Sequence, residues 1–209
     1  KYTGTGSNAT VGHGLSAAPG MILFKNLSSA RNWIVYHKGR GATKNLYLDM
    51  NNSVNTASDT FNNTAPTSTV FSIGSSVGTN ESGDDIIAYC FTDIRGYLKT
   101  GVYYGNTVAG DPYVHLGFKP TFLLIKNTDA TQNWRIIDNK RLGYNPKNNP
   151  LFPSVSNSEG TSETTVDLLS TGFRVMGTGE AVNGNGHRHI YLAIGQTLVG
   201  SNNVCATAR

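Results

Sequence analysis

The stretch PGMILFKN at 19–26 returns as PTFLLIKN at 120–127, 101 positions further on. The echo continues at the same offset. Asn32-Trp33 is answered by Asn133-Trp134, and Tyr2-Thr3-Gly4 by Tyr103-Tyr104-Gly105. His13-Gly14-Leu15 loosely answers His115-Leu116-Gly117-Phe118. Downstream the offset drifts by one or two: Phe71 aligns with Phe173 and Ile87 with Ile190. This spacing is much longer than the roughly 20–50-residue periods of solenoids and propeller blades. The chain therefore reads as a duplicated module, with a first repeat over 1–101, a second over 102–199 and a C-terminal tail over 200–209. The joining segment 93–104, DIRGYLKTGVYY, reads as strand rather than as a Pro- or Ser-rich linker. That favours halves hydrogen-bonded into one intimate unit.

Helix signals are almost absent. The longest stretch without Gly or Pro, 42–65, is rich in Asn, Ser and Thr, whose side chains compete with the helix for backbone hydrogen bonds. Strand signals abound in short apolar or alternating runs bounded by Gly, Asn, Ser or Pro: MILFK, NWIVYH, LYLDM, TVFSIG and IIAYCF, then YVHLGF, TFLLIK, NWRIID, TVDLLS, GFRVMG and HIYLAIG. MILF and FLLI are apolar throughout, as expected of strands covered on both faces. In GFRVMG, Phe173 and Val175 take one face and Arg174 the other, as in a half-exposed sheet. This mixture predicts an all-β fold, an antiparallel β-sandwich of two face-to-face sheets. Trp33 and Trp134 each start a strand and read as core plugs, with a sugar-stacking platform as the alternative.

The polarity of the chain comes from Asn, Ser, Thr and Gly, since charged residues are only 14%. The net charge of +4 is mild, and the 17 basic residues form no run of the kind that binds nucleic acid. No apolar run reaches the roughly 18–20 residues of a membrane-spanning helix, so no membrane partner is expected. Lys1 opens directly into a strand-like segment without an initiator Met, which reads as a fragment or processed product. The basic residues do gather locally: Arg31, Lys38, Arg40 and Lys44 around the first Asn-Trp, and Arg135, Lys140, Arg141 and Lys147 after the second. They read as solvated loops, or as a rim for an anionic glycan or a partner. Two cysteines, Cys90 and Cys205, make no disulfide framework and no metal-ligand spacing.

Catalytic patterns are weak. A sandwich glycosidase needs two facing carboxylates about 5–10 Å apart on rigid strands. The four glutamates, Glu81, Glu159, Glu163 and Glu180, all fall in loop-like sequence. No Gly-x-Ser-x-Gly elbow accompanies the five histidines, and no phosphate-cradling loop is present. The Gly-rich stretches 4–12 and 177–186 read as turns. His187 and His189 share a strand face and, with His115, offer the one loose metal-ligand pattern. Neither catalytic residues, nor a metal site, nor a cofactor is expected.

The segments YTGTGSNATVGHGLSAAPGMILFKN, NWIVYHKG, NNTAPTSTVFSIGSS and GDDIIAYCF resemble a duplicated domain of tail-fibre, tail and other virion structural proteins of tailed bacteriophages, especially marine ones. GFKPTFLLIKN, NWRIIDNKRLGYNP and LLSTGFRVMG extend the resemblance through the second half. It implies a concanavalin A-like, jelly-roll or SPRY-like sandwich in an extracellular virion, with other virion proteins as partners and homo-oligomers as the working form. It carries over no catalytic residues. The ending HIYLAIGQ lacks a counterpart to the cysteine and acid of AYCFTD, so a site shared by both halves is in doubt. The expected role is a tail-fibre or receptor-binding module contacting a host-surface glycan through loop-borne aromatic and basic groups: Tyr36, His37, Arg40, Tyr144 and Lys147. A capsid decoration or assembly protein is the alternative, and a polysaccharide hydrolase or lyase a more distant one.

Overall fold

The computed structural model describes residues 1–141, 145, 148–161 and 165–196. The chain is all-β and antiparallel, and divides into two compact units. Unit 1 holds Lys1–Thr92 together with Thr128–Asn133 and Pro153–Val155. Unit 2 holds Asp93–Asn127, Trp134–Phe152 and the chain from Ser156 on.

Unit 1 contains β1 (Tyr2–Thr3), β2 (Ala9–Gly12), β3 (Met21–Asn26), β4 (Ile34–His37), β5 (Lys44–Tyr47), β6 (Asn55–Thr56), β7 (Val70–Ile73), the one-turn helix α1 (Val77–Asn80) and β8 (Asp85–Phe91). Its large sheet runs β1-β8-β3-β4-β5-β6, and β2 pairs with β7 in a second sheet. The alternation of β3 sends Ile22 and Phe24 to one face, where they meet Ile34, Tyr36, Phe61, Phe71 and Ile73. Phe24 packs edge-on against Phe71 of the small sheet, with centroids 5.4 Å apart. Such a pair adds roughly 0.5–1.5 kcal/mol beyond its area burial. Cys90, opposite Ile22 in the ladder, packs partly buried against this core, and burial pushes its thiol up to about 11.

Unit 2 contains β9 (Leu98–Tyr104), β10 (Tyr113–His115), β11 (Pro120–Asn127), β12 (Arg135–Asp138), β13 (Val166–Leu169), β14 (Gly172–Val175), α2 (Glu180–Asn183) and β15 (Arg188–Gly195). Its sheets run β12-β11-β15-β9 and β10-β14-β13. The order β9-β15-β11-β12 parallels β1-β8-β3-β4, and β10-β14 parallels β2-β7. Here Leu123, Ile125, Ile137, Tyr191 and Ala193 of one sheet join Val114, Leu168, Phe173 and Val175 of the other in a single core. In β14, Phe173 and Val175 are buried and Arg174 is exposed, as the alternation predicts.

Both units are closed by the same bonds. Tyr2 Oη donates to the Thr79 carbonyl at 2.5 Å, and Tyr103 Oη to the Val182 carbonyl at 2.8 Å. Asn80 and Asn183 end the two short helices, and each accepts a backbone N–H from the loop after the first strand of its unit: Thr5 at 2.7 Å, Asn106 at 2.8 Å. That loop lies hard against the helix end. A Cβ on Gly4 would stand 2.0 Å from the Glu81 carbonyl oxygen, and one on Gly105 2.4 Å from that of Gly184, so only glycine fits.

Several expectations change. Segments 4–12 and 177–186 hold β2 and α2 rather than turns alone. Both helices are single turns, too short for any periodic signal. The segment that joins the repeats is strand from Leu98, but it pairs with β15 of its own unit, and each strand pair among the described residues stays within one unit. Unit 2 begins at Asp93, just ahead of the continuous strand β9. The tail 200–209, with Cys205, lies outside the described residues.

Candidate functional site

Because Ile22 and Phe24 face the core of unit 1, Leu23 and Lys25 of β3 face the other way. The register sets Leu23 opposite Tyr89 on β8 and opposite Val35 on β4, with Phe24 opposite Ile34. Trp33, one position before β4, thereby comes beside Lys25. The Lys25 ammonium lies 6.0 Å from the Trp33 ring centroid and also donates to the Arg31 carbonyl. Trp33 stacks on Tyr89, with centroids 6.2 Å apart and planes 22° from parallel. The Trp33 N–H of the main chain reaches both Asp49 carboxylate oxygens at 3.2 Å, which holds the start of β4 in place. Tyr89 is 46% exposed and Trp33 half-buried, so the pair presents aromatic surface to solvent beside one cation and the exposed Asn32 amide.

Trp33 is therefore not the core plug expected of it. Trp134 is, at 1% exposure. Around Trp134 the register is preserved, but the chemistry differs: Leu124 lies opposite Leu192 where Leu23 lies opposite Tyr89. Leu192 and Lys126, the counterpart of Lys25, are both buried. Burial pulls the Lys126 ammonium down to about 8, and it donates to the Asn127 carbonyl at 2.6 Å. The same motif thus serves as an exposed face in one unit and as buried structure in the other.

Of the sequence-predicted contact residues, Tyr36, His37 and Arg40 are among those described. Tyr36 lies on β4, not in a loop, and at 4% exposure belongs to the unit 1 core. His37, also on β4, is 1% exposed, and its Nδ1 accepts the Gly39 N–H at 3.0 Å. Arg40 is tied to Asp129 at 3.2 Å, with little of its side chain exposed. The strand run NWIVYH extends through Tyr36 and His37 and carries both into the interior, so neither reaches the loop that holds Arg40. Tyr144 and Lys147 lie outside the described residues. Tyr89 and Lys25 were missed, although period-2 alternation from Ile22 and Phe24 places them on the outer face.

Among the described residues no group of three His, Cys, Asp or Glu side chains is positioned to hold a metal ion. His189 is buried, stacked on Tyr103 with ring centroids 4.8 Å apart. His187 faces Glu180 at 3.7 Å. The acidic side chains are largely engaged in structure. Glu81 grips Arg31 through two bonds of 2.9 and 3.0 Å, while Arg141 bridges Asp138 and Glu159. Asp84 accepts from Ser29 and Asn26, and those hydrogen bonds hold its carboxyl below the usual carboxylate range.

Fold and site define a two-unit antiparallel β-protein with a half-exposed aromatic pair on the outer face of one large sheet. The chain belongs to the DUF7483 family, a domain of unknown function, whose family model matches residues 1–197. That span takes in unit 1 and all but the end of unit 2. No curated protein and no solved structure matches the chain.

Proposed function

We propose that the protein is a non-enzymatic virion module of a tailed bacteriophage, a tail-fibre or receptor-binding domain that contacts a host-surface glycan. The reading takes the two units as copies of one module and assigns the glycan contact to Trp33 and Tyr89, with Lys25 and Asn32 beside them. The observation that carries it is the stacked Trp33–Tyr89 pair left open to solvent. Aromatic rings so placed accept the C–H face of a pyranose, while neighbouring amide and ammonium groups bond its hydroxyls. A single such contact is weak. Repetition on a homo-oligomeric appendage multiplies it, because each further site binds at a high effective concentration. The sequence resemblance to virion structural proteins supports the location.

The test is a glycan array probed with the oligomeric fibre, together with adsorption competition by host-surface polysaccharide. Specific binding that Trp33→Ala and Tyr89→Ala each abolish is the expected result. Silence on the array, with tight binding to phage particles, replaces this reading with a decoration or assembly role. New reducing or unsaturated ends after incubation with host polysaccharide replace it with a hydrolase or lyase.

A further inference from the structure

A concave surface lies wholly within unit 2. A cleft of about 750 Å³ opens between the turn that precedes β9 and the loop that follows β10. Its floor is apolar: Leu98, Leu116 and Phe118 are almost buried, and Ile94 on the rim is 48% exposed. Phe118 is wedged in place, since a Cβ on Gly195 would come within 2.6 Å of its ring. The turn is held by a pair of backbone bonds between Ile94 and Leu98, 2.8 and 2.9 Å, and passes through Gly96 at φ +76°. Asp93 pins its base by accepting both the N–H and the hydroxyl of Thr100 at 2.8 Å. Across the mouth, Lys99 Nζ donates to the His115 carbonyl at 2.8 Å.

The charged lining is therefore two cations, Arg95 and Lys99, against one carboxylate, Asp93, that is already engaged, with the exposed His115 imidazole on the far side. Among the described residues Arg95 has no ion-pair partner. The first unit has a smaller cavity of about 240 Å³ lined by Lys1, His13 and Leu15, at the mouth formed by β1 and the end of β2.

We propose that the unit 2 cleft binds a carboxylated sugar residue, as in a uronic-acid polysaccharide, with the Arg95 guanidinium as the anion contact. The volume falls within the roughly 300–1,000 Å³ of small-ligand sites. An apolar floor suits the C–H face of a sugar ring, and a planar guanidinium pairs with a planar carboxylate through two parallel hydrogen bonds. One ring carrying one carboxylate matches one apolar floor beside one exposed guanidinium. This inference rests on the saccharide-contacting reading, but names a different site and a charged substrate class.

The experiment is calorimetric titration of the full chain with tetragalacturonate, with its carboxyl-reduced counterpart and with tetraglutamate. Tetragalacturonate binds, the reduced sugar and the peptide do not, and Arg95→Glu weakens binding roughly tenfold or more through loss of the charge-assisted pair. Arg95→Glu leaves the thermal midpoint unchanged, because the side chain is exposed, and Trp33→Ala leaves uronate binding intact. The cleft assignment is overturned if Arg95→Glu binds as the parent does, if the reduced sugar binds equally, or if tetraglutamate competes better. Uronate binding lost only in Trp33→Ala sinks the cleft while sustaining the aromatic site. Absence of tetragalacturonate binding sinks the cleft alone, and the array still decides the aromatic pair.

Discussion

Asn80 and Asn183 occupy the last position of the one-turn helix in their respective units, each with no exposed surface and each binding backbone groups on both sides. Asn183 Nδ2 donates to the carbonyls of Val108, Asp111 and Gly177 at 2.9–3.0 Å, while its Oδ1 accepts the Asn106 N–H. Asn80 does the same with Ser7, Gly74 and Thr5. Alanine at either position strands several backbone groups away from water. Each such loss costs about 1–3 kcal/mol, and some of these carbonyls regain water, so a destabilisation of about 2–4 kcal/mol is expected. Urea unfolding of Asn80→Ala and Asn183→Ala measures it; a cost under 1 kcal/mol at both sites contradicts the role assigned to these amides.

The two tryptophans separate exposure from burial at matched positions. Trp134→Ala empties a fully enclosed site and is expected to cost about 3–5 kcal/mol. Trp33→Ala removes a half-exposed stacking contact and costs about 1 kcal/mol. Equal losses in denaturant melts would mean that the two rings are equivalently enclosed.

Tyr36 offers a sharp contrast with Tyr89. Tyr36 meets Phe61 edge-on with centroids 5.4 Å apart inside the core, and burial raises its phenol above the ordinary tyrosine value. Tyr36→Ala is expected to cost about 3 kcal/mol of stability while the protein that remains folded keeps the glycan affinity proposed for the aromatic pair. Tyr89→Ala should do the reverse. Calorimetric unfolding paired with binding isotherms distinguishes them.

Lys126 gives an alkaline signature. Its pKa is near 8 when folded, against an ordinary 10.5. Between those values the unfolded chain holds a proton that the folded chain has released, so stability rises with pH across that window. The gain is at most roughly 3 kcal/mol, at about 1.4 kcal/mol per pKa unit. Cys90 and the buried tyrosines act oppositely. Their folded pKa values are raised, so the unfolded chain loses its proton first and stability falls above about pH 9 for the thiol and pH 10 for the phenols. The difference between parent and Lys126→Met isolates the lysine. Thermal midpoints that diverge from pH 8 to 10 are expected, and parallel curves would count against a buried ammonium.

Much of the fold was legible in residue order. The paired runs MILFK and TFLLIK, Phe71 with Phe173, and Ile87 with Ile190 fall on matching strands, because alternation and turn chemistry act over a few residues. The elements that escaped notice are those with no local pattern of their own. The strands β2 and β6 and the helices α1 and α2 span two to four residues each and exist because neighbours complete their hydrogen bonds.

The site was less legible. Residue order determined that Trp33 and Trp134 would begin equivalent strands, each beside a lysine at the same register, since period-2 geometry sets which side chains share a face. Only the tertiary structure decided that Trp33, Lys25 and Tyr89 look outward while Trp134, Lys126 and Leu192 are enclosed. Exposure belongs to the packed surroundings of a face, not to the strand that carries it, so identical local sentences acquire opposite surfaces.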